Sequence, residues 1–136
     1  TNKSEELKKN NKELEVSFET FEEIKILGVK SELSQVLIAI ISNSIDVLKN
    51  IKNPEIQIDI FSSSAEVIIK LADNGGGIKA KNLKKIFELY FSTKEEGTGI
   101  GLYLAKMIIE ESFGGKILVE NKKEGVLFSL FIEKAL

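Results

Sequence analysis

The chain has 136 residues, 43% of them hydrophobic, which is enough for one buried core and too little for two. Its 19 basic and 21 acidic residues leave a formal charge of −2, so no face is forced to be basic and no nucleic-acid partner is expected. With no Cys and no His, it excludes disulfides, thiolate or imidazole metal sites, Ser-His-Asp catalysis and a phosphohistidine on this chain.

Residues 1–12 are almost wholly polar and read as a linker or the end of an upstream helix; residues 13–136 read as one domain. No uninterrupted apolar run reaches the ~18 residues of a membrane span. Leu14, Val16 and Phe18 alternate with charged residues, which predicts a strand. A second short strand over 24–27 would complete a hairpin. A long helix is expected over about 32–50, with Ser31 as its cap, Glu32 in its first turn and Asn53-Pro54 as its end. Ile56, Ile58 and Ile60, then Val67, Ile69 and Leu71, alternate with polar residues and predict two strands joined at Ser62-Ser63-Ser64. A short helix over about 82–88 lies between loops that open at Asp73 and at 91. A longer helix over about 99–112 stops at Gly114-Gly115, and a hairpin of 116–120 with 127–132 closes the chain. This order predicts an α+β fold: a two-layer sandwich, its sheet mixed but mostly antiparallel, with the helices on one face.

Three segments could carry chemistry. On the first long helix, Ala39, Asn43, Asp46 and Asn50 recur at spacings of four, three and four and share one stripe. The apolar stripe runs through Leu33, Leu37, Ile40, Ile41, Ile45 and Leu48, so Asn43 and Asp46 leave the core. A polar stripe is ordinarily a solvated face, but Asn is a mediocre helix former and its amide oxygen is a hard ligand that suits magnesium. Asp73-Asn74-Gly75-Gly76-Gly77-Ile78 follows a strand. Three successive glycines exceed what a turn needs and let backbone approach a ligand, while the carboxylate can accept from an exocyclic amine. Lys94-Glu95-Glu96-Gly97-Thr98-Gly99-Ile100-Gly101-Leu102 opens a helix whose unpaired amides and dipole suit phosphate. It lacks the Gly-Lys-Ser/Thr of a Walker loop and the preceding strand of a Rossmann fingerprint. Between the loops, the aromatics of Phe87, Tyr90 and Phe91 read as core or hinge packing.

In this order the segments resemble the ATP-binding domain of sensor histidine kinases, within the ATPase superfamily that includes heat-shock chaperone and mismatch-repair ATPases and shares the Bergerat fold. Gln35-Val36-Leu37 through Asn43-Ser44-Ile45-Asp46 is similar to the N box, and Asp73 through Ile78 to the first glycine box. Phe87 through Lys94 is similar to the F box, Gly97 through Leu102 to the second glycine box, and Phe113-Gly114-Gly115-Lys116-Ile117 with Gly125-Val126-Leu127-Phe128 to the closing region. The resemblance implies ATP and Mg2+ as cofactors. Asn43 would hold the magnesium and, with Asp46, border the nucleotide. Asp73 would meet the adenine amino group, helped by Gly75 and Gly77, with Ile78 against the base. Thr93, Lys94 and the backbone of Gly97, Thr98, Gly99, Ile100, Gly101 and Leu102 would cover the phosphates as a lid that opens cheaply.

The family often carries Asn, or in chaperone ATPases a water-activating Glu, where this chain has Ala39; a Thr where it has Val126; and a His where it has Phe113. Efficient hydrolysis of ATP is therefore not expected, and Phe113 is expected to be a packing change. The implied reaction is phosphoryl transfer from Mg-ATP to a His on a separate dimerisation and histidine-phosphotransfer domain of the same protein. A response regulator is the further partner. The expected setting is cytoplasmic, in a full protein that is a homodimer and could be membrane-anchored, with the isolated domain a monomer. The alternatives are an anti-sigma-type serine kinase and a degenerate nucleotide-sensing module of the same fold.

Overall fold

The 19-residue helix α1 (Lys30–Leu48) forms where Leu and Ile recur at helical spacing without a Gly or Pro. Residues 15–19, 30–92 and 99–133 are described by the computed structural model, 15–19 and 30 through backbone alone. The helix starts one residue before Ser31, so Ser31 lies in its first turn and is not its cap. It stops at Leu48, two residues short of the expected end, where Ile51 N–H donates to the Leu48 carbonyl. Asn53, with φ of 55°, then turns the chain into buried Pro54. Ser31–Leu48 has the length and mean hydropathy of a membrane span, although Glu32 and Asp46 interrupt its apolar run, as expected from the sequence. Here Val36, Ile40, Ile45 and Leu48 are buried, which makes α1 the core helix of the domain. Each such side chain contributes about 2 kcal/mol of burial.

Strands β1 (Glu15–Glu19), β2 (Glu55–Ser62), β3 (Glu66–Asp73), β4 (Lys116–Asn121) and β5 (Val126–Glu133) form one sheet in the order β1-β2-β3-β5-β4. The β2–β3, β3–β5 and β4–β5 pairs are antiparallel. The pair β1–β2 is parallel, and α1 is the crossover that parallel pairing needs. The strand expected over 24–27 lies outside the described residues. The β2–β3 turn is Ser63-Ser64-Ala65, one residue later than expected, because Ser62 still pairs with Val67. Ser63 closes it: its N–H donates to the Glu66 carbonyl, and its hydroxyl oxygen accepts from the Glu66 N–H at 3.1 Å.

Alternation decides the two faces. Ile56, Ile69, Leu71, Ile117, Phe128 and Leu130 point to the helices, and Gln57, Asp59, Phe61, Lys116 and Leu118 to the open side. Phe128, 1% exposed, lies opposite Leu71 on one neighbour strand and Val119 on the other. The short helix α2 covers only Ala80–Leu83, and turns replace the helix expected through residue 88. Burial of Ile86 and an edge-on contact of Phe87 with Phe128 (6.2 Å) fix that stretch instead. Helix α3 (Gly101–Met107) runs on into a π turn (Ile108–Ser112), two residues later at its start than expected. Ala105, Ile109 and Phe113 anchor it in the core. Gly114, at φ +60°, ends it as predicted, with Gly115 N–H donating to the Ile109 carbonyl at 2.9 Å. Ser112 Oγ donates to Glu32, joining the end of the π turn to the first turn of α1.

Candidate functional site

Asp73 is the last residue of β3, half-buried against α1. Its carboxylate accepts from the Gly75 N–H at 3.0 Å, from the Ser44 hydroxyl and from the Val126 N–H. Burial outweighs these three donors and holds the carboxyl above the ordinary aspartate value of 3.8. Glycine is required beside it: a Cβ on Gly125 would lie 1.9 Å from the Asp73 carbonyl oxygen, and one on Gly75 would lie 2.7 Å from Val47. The turn itself is held at Asn74, Gly75, Gly76 and Ile78. Asn74 Oδ1 accepts from the Glu55 N–H at 2.8 Å, while Asn74 Nδ2 donates to the Asn53 carbonyl. Gly76 N–H donates to the Glu124 carbonyl at 3.1 Å. Ile78 N–H donates to Asn121 Oδ1, and Asn121 Nδ2 donates to the Ile78 carbonyl, both at 2.8 Å.

At the other end, a Cβ on Gly101 would sit 3.8 Å from the Ala39 methyl, so α3 starts against α1 one turn before Asn43. Ser44, Val47 and Leu48 meet the Asp73 turn. Half-buried Asn43 therefore lies between the two glycine segments, on a stretch of α1 about 12 Å long from Ala39 to Val47. Asp46 is half-buried and lies 3.7 Å from Lys49, in an i,i+3 pair. Leu102 packs against the core and Ile100 is exposed. Gly99, at φ +70°, lies on Tyr90: its carbonyl accepts from the Tyr90 N–H at 2.8 Å, and a Cβ there would come within 2.3 Å of the Tyr90 carbonyl carbon. Tyr90 itself has φ of 66°, a strained value for a bulky residue. Thr93, Lys94, Gly97 and Thr98, and with them the first part of the expected lid, lie outside the described residues.

The profile of histidine kinase-, DNA gyrase B- and HSP90-like ATPases matches residues 28–136. The catalytic domain of histidine kinase ThkA in a nucleotide-free form superposes with a TM-score of 0.83 at 34% identity, over 96% of this chain and 84% of that one. The chain belongs to this family, as a histidine kinase catalytic domain. The C4-dicarboxylate transport sensor protein DctB of Rhizobium meliloti is 31% identical over 82% of this chain and 18% of its own length. Sensor histidine kinase ZraS of Escherichia coli K12 is 34% identical over 90% of this chain and 26% of its own. The chain thus spans about a quarter or less of these two relatives. ThkA is also similar in its complex with response regulator protein TrrA, with a TM-score of 0.76 at 30% identity, over 96% of this chain and 36% of that one.

Family membership makes this histidine kinase domain an ATP-binding one, and its geometry adds residues that sequence reasoning passed over. Ser44 is 4% exposed and donates to Asp73. The signal was available, since a Ser following Asn43 sits on the buried side of the helix stripe. Val126 has no hydroxyl, but its backbone N–H serves the same carboxylate. Phe113, 4% exposed, packs in the core as expected. Asn121 carried no sequence signal, because its partner is 43 residues away.

Proposed function

We propose that this domain binds Mg-ATP along α1 and donates the γ-phosphoryl group to a histidine on a separate dimerisation domain of the same protein. The Asp73 carboxylate carries the reading. A carboxylate offers about four lone-pair positions. Gly75, Ser44 and Val126 use three, which leaves one for an exocyclic amine such as that of adenine. A carboxylate kept partly dehydrated in this way, at the mouth of a glycine turn, is a binding-site candidate.

The phosphates would then extend past Asn43 toward the first amides of the helical run that begins at Gly101. Magnesium supplies charge neutralisation when bound. Among the described residues no group of three or more acidic side chains is gathered for a metal. Magnesium usually takes one or two protein oxygens beside phosphates and water, and the Asn43 amide oxygen is the candidate. In the transfer, the acceptor imidazole nitrogen bonds to the γ-phosphorus as the bond to the β,γ-bridging oxygen breaks, and ADP leaves. The chain's own share is alignment and charge stabilisation. Ala39 offers no carboxylate to activate water, so hydrolysis is slow. The ThkA–TrrA complex supports a response regulator as the next acceptor. The domain acts in the cytoplasm, as a monomer unless its upstream dimerisation domain is attached.

Titration calorimetry with Mg-ATP tests the site: binding by the wild type and a loss of at least about a hundredfold in Asp73→Asn are expected. Equal binding by the two proteins defeats the reading. A nucleotide-sensing module is the second reading, favoured by Ala39 beside the start of α3. Mixing the domain with a histidine-bearing helical domain and radiolabelled ATP separates the two readings. Intact binding without label transfer selects the sensor.

A further inference from the structure

We propose that Asn121 is the positioning residue of the adenine subsite: its carboxamide holds Ile78, and through it the glycine turn, in the shape the base meets. The inference rests on the ATP site proposed above.

Asn121 closes β4, where it pairs with Val126. Its side chain meets Ile78 in both directions, accepting from the N–H and donating to the carbonyl, each at 2.8 Å. An amide is the side chain that carries one acceptor and adjacent donors in a plane, so it can stand in for a neighbouring strand. With both polar groups of Ile78 occupied, the peptide planes on either side of it cannot rotate without losing a bond. The side chain of Ile78 is directed accordingly, and it packs against the core cluster.

Gly77 bears this out from the other side. A Cβ there would meet Asn121 Oδ1 at 3.0 Å and Cγ at 3.2 Å, so the missing side chain makes room for this amide. At Gly76 nothing lies within 4 Å of the same position. The turn between β4 and β5 adds one more tether, the Glu124 carbonyl on Gly76 N–H. The loop that carries Asp73 into the glycines is therefore shaped by a hairpin 43 residues downstream before any ligand arrives. Pre-shaping of this kind spares a ligand the ordering cost of the loop.

The chain 1–136 provides the test, with Asn121→Ala and the near-isosteric Asn121→Asp. The aspartate can accept from Ile78 N–H but turns an oxygen toward the Ile78 carbonyl. Amide exchange at Ile78, the thermal midpoint without nucleotide, and the Kd for Mg-ATP are measured together. Expected are fast Ile78 exchange in the alanine variant, a roughly tenfold rise in Kd in both variants, and thermal midpoints close to wild type. An unchanged Kd despite lost Ile78 protection overturns the proposal, as does a fall in midpoint with affinity intact, which assigns Asn121 to stability alone. Wild-type protein that fails to bind Mg-ATP, or Asp73→Asn that still binds it, defeats the underlying site instead.

Discussion

The turn after β3 and the segment entering α3 both need glycine against backbone, yet the fold secures them unequally. Around Asp73, the Ser44 and Asn121 side chains, the Glu124 carbonyl of the β4–β5 turn and the Glu55 N–H at the start of β2 all bond to a stretch of six residues. Around Gly99, the backbone contacts among the described residues are Tyr90, which is 71% exposed, and half-buried Phe91. A region cross-braced from three directions opens only with the whole domain, whereas one held by fewer contacts opens at lower cost. The Asp73 end of the proposed site is thus built in advance, and the Gly99 end is held by less.

Substitutions can break this contrast, beginning with Gly125→Ala. Its Cβ would fall on the Asp73 carbonyl in the braced region, so a loss of about 3 kcal/mol is expected. That corresponds to a thermal midpoint roughly 10 °C lower. An unchanged midpoint would mean the bracing is slack. Next in size is Ser44→Ala, which removes one donor from a buried carboxylate: nucleotide affinity by calorimetry should drop about tenfold. Gly99→Ala introduces a comparable overlap at the other end, against Tyr90, together with a positive φ. If that end yields locally, the midpoint falls by only about 3 °C while amide exchange at Tyr90 speeds up. A drop as large as that of Gly125→Ala would erase the contrast.

The smallest effect is on pH dependence. Burial holds Asp73 above 3.8, so the folded state binds its proton more tightly than the unfolded chain does. The stability this group contributes is fully present below 3.8 and is lost as pH rises through the folded value. Affinity for the base runs the opposite way, because the ionised carboxylate is the better acceptor. As pH rises across that window the midpoint and the Kd should therefore both fall, and Asp73→Asn should flatten both.

Much of this was legible in the chain. Alternation located β1, β2 and β3 and the closing hairpin gave β4 and β5, each to within two residues, and the spacing of Asn43, Asp73 and the glycines pointed to the candidate site, because such patterns are local. What could not be read was set by distance. The parallel partner of β1 is chosen by the crossover through α1, and Ser44 matters only because β3 ends beside it. Gly77 carried a clear signal whose neighbour, Asn121, no spacing rule could name. The stretch after Leu83 reads as helix by composition, yet Phe87 is drawn onto Phe128 and the turns follow the ring.

The π turn at Ile108–Ser112 has a consequence for length. Phe113 N–H reaches back five residues to the Ile108 carbonyl, at 3.3 Å, so this helix holds one residue more than an α-helix of equal rise. Deleting one residue inside the π turn would restore ordinary winding with Phe113 still in phase, whereas deleting one from Gly101–Met107 would swing everything beyond it by about 100°. Phe113 would then rotate out of its socket, or β4 would slip by one against β5 and present Leu118 to the helices in place of Ile117. Residue count across this segment, more than residue identity, decides which side of the last hairpin is oily.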